Sequence, residues 1–463
     1  MNPLIFNEDR FKIMKVIRNA DQVRIGCLGN QKILINKNYR QLVYTTFVQA
    51  DEGYLLYNNL TDELLFLTHQ EKEILDRFDL STEVCKNLIE KWYYVPDDHV
   101  DYKLADQLDS FLSVFYATRT DNSIDSYTIF PTTDCNARCF YCYEKGIKKI
   151  HMSDNVASDT ADFIIKRSNG KEVKLHWFGG EPLYNSRAID IICEKLKEAN
   201  VVFKSSMISN GYLFDDDCIL KAKELWNLQK VQITLDGTEE IYNKIKAFIY
   251  NDGSAFKRVI SNIEKLLKAD IFVTIRMNMD SHNYENLFEL VTFLCDKFGD
   301  YKNLRMYSQT LFDESSQKHM ERTDDERDFV FEKNKIINSY IKKFNNSKRR
   351  SLDGYLKKCQ CMADNDNATT INPLGGLGKC EHFPEKYLWG SIYSEEINAE
   401  NINIFKKRVP LVGKCYTCPV RPGCLQLENC PNGRKCNETL QKGHFANVKN
   451  RIITTYNLWK SEQ

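Results

Sequence analysis

Six short apolar or β-branched runs alternate with six longer amphipathic stretches through the middle of this chain. The strand-like runs are Tyr127–Thr132, Val173–Phe178, Phe203–Ser209, Val231–Leu235, Phe272–Asn278 and Leu304–Ser308. The helical stretches lie near Val156–Arg167, Ala188–Ala199, Asp216–Trp226, Phe256–Leu267, Tyr284–Phe298 and Asp324–Phe344. Strands separated by helices return to one sheet in parallel, through right-handed crossovers. The pattern predicts an α/β fold, a partial (β/α)6 barrel, with its reactive loops at the C-terminal ends of the strands.

The loop after the first of those strands reads Cys135-Asn-Ala-Arg-Cys139-Phe-Tyr-Cys142. Three closely spaced thiolates can hold three corners of a cubane iron–sulfur cluster and leave the fourth iron open to a ligand. With Tyr141 before the last cysteine, this loop resembles the cluster motif of radical S-adenosylmethionine (SAM) enzymes. The resemblance implies a [4Fe-4S] cluster on Cys135, Cys139 and Cys142, with SAM bound to the open iron.

Further segments at strand ends support that resemblance. Gly179-Gly180-Glu181-Pro182 follows the second strand; glycines permit close backbone approach, and a carboxylate accepts from an ammonium group. In the family this motif holds the SAM amino group. Arg276 ends the fifth strand, and a guanidinium fork aimed inward suits the SAM carboxylate. Ser209, Asp236 and Asn278 end the third, fourth and fifth strands, and the resemblance makes them candidates for contacts to the SAM ribose or its surroundings. Taken alone, Ser209-Asn-Gly211 and Asp236-Gly237 are ordinary turns.

Composition bounds the alternatives. The 463 residues carry 64 Lys+Arg against 64 Asp+Glu, so net charge argues for neither a nucleic-acid nor an anionic-membrane partner. Charges interrupt the first nineteen residues, so neither a signal-peptide core nor a membrane span is expected there, and the chain reads as cytoplasmic. Sixteen cysteines in a reducing compartment read as metal ligands before disulfides. Eight of them fall between Cys359 and Cys436, while Cys27, Cys85, Cys193, Cys218 and Cys295 are scattered singly and read as core.

The clustered set is Cys359, Cys361, Cys380, Cys415, Cys418, Cys424, Cys430 and Cys436. A C-x2-C pair such as Cys415/Cys418 also suits zinc. Downstream of the barrel motif, the set resembles the SPASM extension, which implies two auxiliary [4Fe-4S] clusters. The resemblance suggests Cys415, Cys418, Cys424 and Cys436 on one, and Cys359, Cys361, Cys380 and Cys430 on the other. Five residues separate Cys424 from Cys430 where the family usually has three, and Cys359 is the weakest ligand, because a C-x-C pair crowds one cubane. Cys380-Glu381-His382-Phe383 resembles the Cys-Asp-His-Phe segment of anaerobic sulfatase-maturating enzymes, which implies Glu381 as a base on the substrate. A surface carboxylate is the plainer alternative.

Before the barrel, Leu42–Gln49, Glu52–Tyr57 and Glu63–Leu67 read as a three-stranded meander, followed by helices at Gln70–Phe78, Ser81–Trp92 and Tyr102–Tyr116. That layout is either a cap on the barrel or a module resembling the winged-helix leader-recognition element of peptide-modifying enzymes, which binds by strand addition. Residues 1–38 have no assignment, and residues 345–360, with the basic run Lys348-Arg-Arg350, read as a solvated linker. The expected domains are thus 1–120 (the α+β module), 121–344 (the barrel) and 345–463 (the SPASM region).

The combination predicts an oxidative peptide maturase forming a thioether or carbon–carbon crosslink in a ribosomally made precursor. Its reductant would be a flavodoxin or ferredoxin. The alternatives are a formylglycine-forming sulfatase maturase, a peptide epimerase, and a non-catalytic iron–sulfur or zinc protein that binds peptides or senses redox state.

Overall fold

The computed structural model describes residues 14–117, 123–311, 324–344, 351–357, 359, 361–424, 426–430, 436 and 438–463. The basic run at 348–350 and half of the expected linker lie outside the described residues.

The chain opens with β1 (Lys15–Arg18), α1 (Gln22–Leu28) and β2 (Tyr39–Gln41), then the meander β3 (Thr45–Ala50), β4 (Gly53–Asn58) and β5 (Glu63–Leu67). Helices α2 (His69–Arg77) and α3 (Glu83–Glu90), strand β6 (Tyr94–Pro96) and helix α4 (Asp101–Ala117) complete this part. A capping box starts α2: the Glu71 N–H donates to Thr68 Oγ1, and the Thr68 N–H donates to Glu71 Oε2 at 2.7 Å. The sheet has four strands in the order β1-β5-β4-β3, rather than the three expected. Its fourth strand comes from the unassigned N-terminal stretch: β1 pairs antiparallel with β5 and closes that edge, leaving β3 at the other. A four-residue strand with two charged ends gives too short a pattern to read from sequence.

The barrel follows as expected. Strands β7 (Ser126–Thr132), β8 (Val173–Gly179), β9 (Phe203–Ser209), β10 (Leu228–Thr234), β11 (Phe272–Met279) and β12 (Leu304–Thr310) are neighbours in chain order and parallel throughout. The crossovers are α5 (Asp154–Ser168), α6 (Ser186–Glu198), α7 (Asp216–Glu224), α8 (Glu239–Lys246), α9 (Ala255–Lys268) and α10 (Tyr284–Phe298), with α11 (Asp324–Phe344) after β12. Helix α8 was not expected. Alternate strand residues such as Leu175, Trp177, Met207, Val231, Ile233 and Ile275 are buried in one core with the crossover helices. The intervening residues face the other way, into the barrel.

The last part packs in two directions. Strand β13 (Ala368–Ile371) extends the barrel sheet by pairing in parallel with β7, and β14 (Gly376–Gly378) and β15 (Gly390–Ser391) follow it antiparallel. Two short helices, α12 (Ala399–Ile404) and α13 (Gly413–Tyr416), lead to α14 (Glu438–Ser461), which crosses back to the N-terminal sheet. There Val448, Ile452 and Tyr456 join Leu55, Tyr57, Leu64 and Phe66 in one buried cluster. The Phe66 and Tyr456 rings stack with centroids 5.8 Å apart. Arg421, almost fully buried, donates to the Tyr102 carbonyl at 2.9 Å and pairs with Asp106, tying the cysteine-rich region to α4. Among the described residues, no helix is long and apolar enough to cross a membrane.

Candidate active site

The site is built around the loop after β7. Asp134 fixes its start: Oδ1 accepts from the Cys135 N–H at 2.8 Å and from Lys149 Nζ at 2.9 Å. The Ala137 N–H donates to Cys135 Sγ at 3.3 Å, and a turn returns the Cys142 N–H to the Cys139 carbonyl at 3.2 Å. Burial pushes the Cys135 and Cys142 thiols up to about 12 each. A cationic cluster, if bound, would offset that burial by taking these thiols as thiolates. Among the described residues, no three His, Cys, Asp or Glu side chains converge on a single-ion centre. A cubane does not require that, because each of its irons takes its own thiolate.

The glycines of Gly179-Gly-Glu-Pro182 are required by contact with this loop. A Cβ on Gly179 would stand 2.3 Å from the Thr132 carbonyl oxygen, and one on Gly180 would stand 2.2 Å from that of Asp134. The Gly180 and Glu181 N–H groups donate to those same carbonyls, at 3.2 and 2.9 Å. Glu181 is fully buried. Its Oε1 accepts from Ser209 Oγ at 2.9 Å and the Leu183 N–H at 3.2 Å, and its Oε2 accepts from the Asn210 N–H at 2.7 Å. Burial pushes its carboxyl up to about 7. Asn210 also donates to Asn136 Oδ1 at 2.6 Å, so the second and third strand ends close on the cysteine loop together.

A buried polar network lies beside them, and its centre is a residue the sequence reading did not single out. Lys246, at the C-terminus of α8, places Nζ 2.9 Å from Asp236 Oδ2 and donates to the Tyr141 hydroxyl at 2.7 Å. Tyr141 also donates to Asp236 and accepts from Asn278 Nδ2 at 3.2 Å. The Asn278 N–H donates to Asp236 Oδ1 at 3.0 Å, and Arg276 Nε donates to Asn278 Oδ1 at 2.9 Å. The Lys246 carbonyl accepts from the Arg138 N–H at 2.8 Å, and the Ile249 N–H donates to the Asn136 carbonyl at 3.0 Å. Tyr141, Asp236, Arg276 and Asn278 thus form one connected set. Asp236 and Tyr141 hold Lys246 with the carboxylate and hydroxyl groups that a ribose contact would otherwise use. The available signal was Lys246 four residues after Tyr242, both on the buried face of α8.

The C-terminal thiols fall into two neighbourhoods. Cys361 and Cys430 both act electrostatically on Cys380, and burial pushes Cys380 up to about 12. Cys424 is raised by burial and by Cys418, Cys436 and Cys415 around it. Cys359 acts electrostatically on the buried Lys379, which burial brings down to about 8 and whose Nζ donates to the Asn365 and Ala368 carbonyls at 2.7 Å each. Glu381 is half-buried beside Cys380. Two contacts join this region to the barrel. The Tyr143 and His382 rings lie 4.4 Å apart, and Thr128 Oγ1 inside the barrel donates to the Met362 sulfur at 3.3 Å.

Residues 129–294 match the family model of the Radical SAM superfamily. The GTP 3',8-cyclase of Clostridium perfringens (strain 13 / Type A) is 25% identical over 275 residues, covering 56% of this chain and 81% of that protein. The radical SAM cyclopropyl synthase TigE of Paramaledivibacter caminithermalis is 25% identical over 187 residues, 36% of this chain and 38% of that one. The solved structure of native anSMEcpe with bound AdoMet and Cp18Cys peptide covers 73% of this chain and 99% of its own, with a TM-score of 0.56 at 17% identity. That likeness is one of fold.

Proposed function

Because this chain carries a radical SAM superfamily domain at residues 129–294, we propose that the protein is a peptide-modifying radical SAM enzyme with a SPASM-type C-terminal region. Cys135, Cys139 and Cys142 would hold the SAM-binding [4Fe-4S] cluster, and the two C-terminal thiol groups would hold auxiliary clusters. When bound, the first cluster and SAM supply a 5′-deoxyadenosyl radical able to remove hydrogen from carbon, and the auxiliary clusters supply an electron sink. Glu181 would accept the SAM ammonium and Arg276 would pair with its carboxylate. Lys246, through Tyr141, holds the cysteine loop in place. Glu381 would take the proton released as the substrate is oxidised.

The observation that carries this reading is the cysteine-rich region after the barrel, whose Cys361/Cys380 segment is joined to the barrel by Tyr143–His382 and Thr128–Met362. Redox-neutral chemistry does not need an electron sink, so oxidative crosslinking of a precursor peptide is favoured, with a flavodoxin or ferredoxin as cytoplasmic reductant. The N-terminal sheet, with β3 at its edge, would take the leader as an added strand. The second reading is a sulfatase-type maturase, favoured by Cys380-Glu-His-Phe and by the fold shared with anSMEcpe. The curated relatives also admit GTP as substrate.

The test is anaerobic reconstitution followed by separate incubation with SAM and a precursor peptide encoded beside the gene, a sulfatase peptide, or GTP. The expected result is deoxyadenosine together with a precursor that has lost hydrogen. Formylglycine in the sulfatase peptide, or consumption of GTP, with the precursor untouched would replace this reading.

A further inference from the structure

The inner face of the barrel is cationic across β8, β9 and β10. Strand register sets Thr128, His176, Ser206 and Lys230 side by side in one row, with Lys174 beside Lys204 in the row below. Neighbouring strands lie about 4.8 Å apart, so these side chains form one continuous patch. Further across the same face, Arg305 stands opposite Thr274.

No Asp or Glu sits within these strands on this face. Glu172, just before β8, pairs with Lys204 at 2.8 Å. Among the described residues, no carboxylate pairs with Lys174 or Lys230. His176 contacts Ser206 Oγ at 2.6 Å and is held below its ordinary value by burial and by Lys230 and Lys174, so the cationic character of the face comes from its lysines and not from this ring. An inner face of this kind keeps its cations for a guest.

We infer that this face binds carboxylate side chains of the substrate, so that the substrate carries an acidic segment beyond the reacting residue, its Asp or Glu side chains lying against Lys174 and Lys230 near the N-terminal starts of β8 and β10. Single ammonium groups on separate strands match single carboxylates spaced along an extended chain. A triphosphate asks instead for donors converging on one point. The inference rests on the peptide reading above and narrows its substrate class.

The probe is a fluorescein-labelled peptide of alternating Gly and Glu, compared with its Gly and Gln counterpart by anisotropy on the full-length reconstituted protein. The wild type should favour the Glu peptide by about tenfold at low salt, and the preference should shrink as salt rises. Lys174→Gln with Lys230→Gln should remove it, with iron content and circular dichroism unchanged. Equal binding of the two peptides, or a preference that survives in the double variant, overturns the inference. GTP displacing the Glu peptide and binding tighter also overturns it, assigning the face to a nucleoside triphosphate. Failure here separates from failure of the peptide reading. A precursor modified equally by wild type and double variant leaves the maturase standing without the acidic face. Selective Glu-peptide binding with no modified precursor leaves the face without the maturase.

Discussion

Lys246 Nζ lies 2.9 Å from Asp236 Oδ2 with the two side chains 3% and 1% exposed, an ion pair sealed beneath the cysteine loop. Burial opposes the Lys246 charge, and Asp236 with the nearby Cys139 outweighs it, holding the ammonium above its ordinary value. The pair reaches the loop twice, through the Tyr141 hydroxyl and through the Lys246 carbonyl.

Removing one member leaves the other charge buried without compensation. Lys246→Met should therefore lower stability by about 3–5 kcal/mol in urea denaturation of the cluster-free protein. Adding Asp236→Asn should restore part of the loss. If the single variant is as stable as wild type, the pair does not hold the loop.

The three thiol groups should report separately in iron content. About twelve irons are expected from three cubanes. Cys135→Ala with Cys139→Ala and Cys142→Ala should remove a third of them and all SAM cleavage. Cys415→Ala with Cys418→Ala and Cys424→Ala should remove another third and spare SAM cleavage. Zinc in the C-terminal region, with iron for one cluster only, would refute the auxiliary-cluster assignment.

Glu181 gives a pH signature to the apoprotein. Burial raises its carboxyl from 4.5 to about 7, so the folded chain binds a proton the unfolded chain releases. Its contribution to stability is full below pH 4.5 and is lost as pH rises through about 7. Thermal melts of wild type against Glu181→Gln should diverge across that window. Parallel curves would show that the carboxyl is not desolvated.

Glu381→Gln keeps the size and removes the proton-accepting charge. Deoxyadenosine should still form while modified peptide falls by about 10²-fold or more. Both products at wild-type yield would make Glu381 a surface residue.

The β3 edge can be blocked without breaking its pairing. Ala50 and Gly53 flank a two-residue turn, which directs the Gln49 N–H off the edge of the sheet. Gln49→Pro removes that donor where proline is tolerated. Leader binding should weaken by about tenfold, measured by titration of labelled leader, with stability little changed. An unaltered affinity would point to a module that only caps the barrel.

The barrel was legible in the sequence because its signals are local. Alternating apolar periods give strand, helix and crossover, and Cys135-x3-Cys139-x2-Cys142 with Gly179-Gly-Glu-Pro182 are short runs whose spacing carries their chemistry. The sequence by itself determined where the cysteines cluster, three in the loop after the first barrel strand and eight after the barrel. The tertiary structure alone decided that β1 closes the β5 edge, that β13 extends the barrel beside β7, and that α14 covers the N-terminal sheet through Phe66 and Tyr456. It also decided that Asp236 pairs with Lys246 and that the lysines of β8, β9 and β10 share one face. These depend on strand register and on contacts between segments far apart in the chain. A pattern read one window at a time carries neither, because a charged residue on a short helix reads as solvated until the fold buries it.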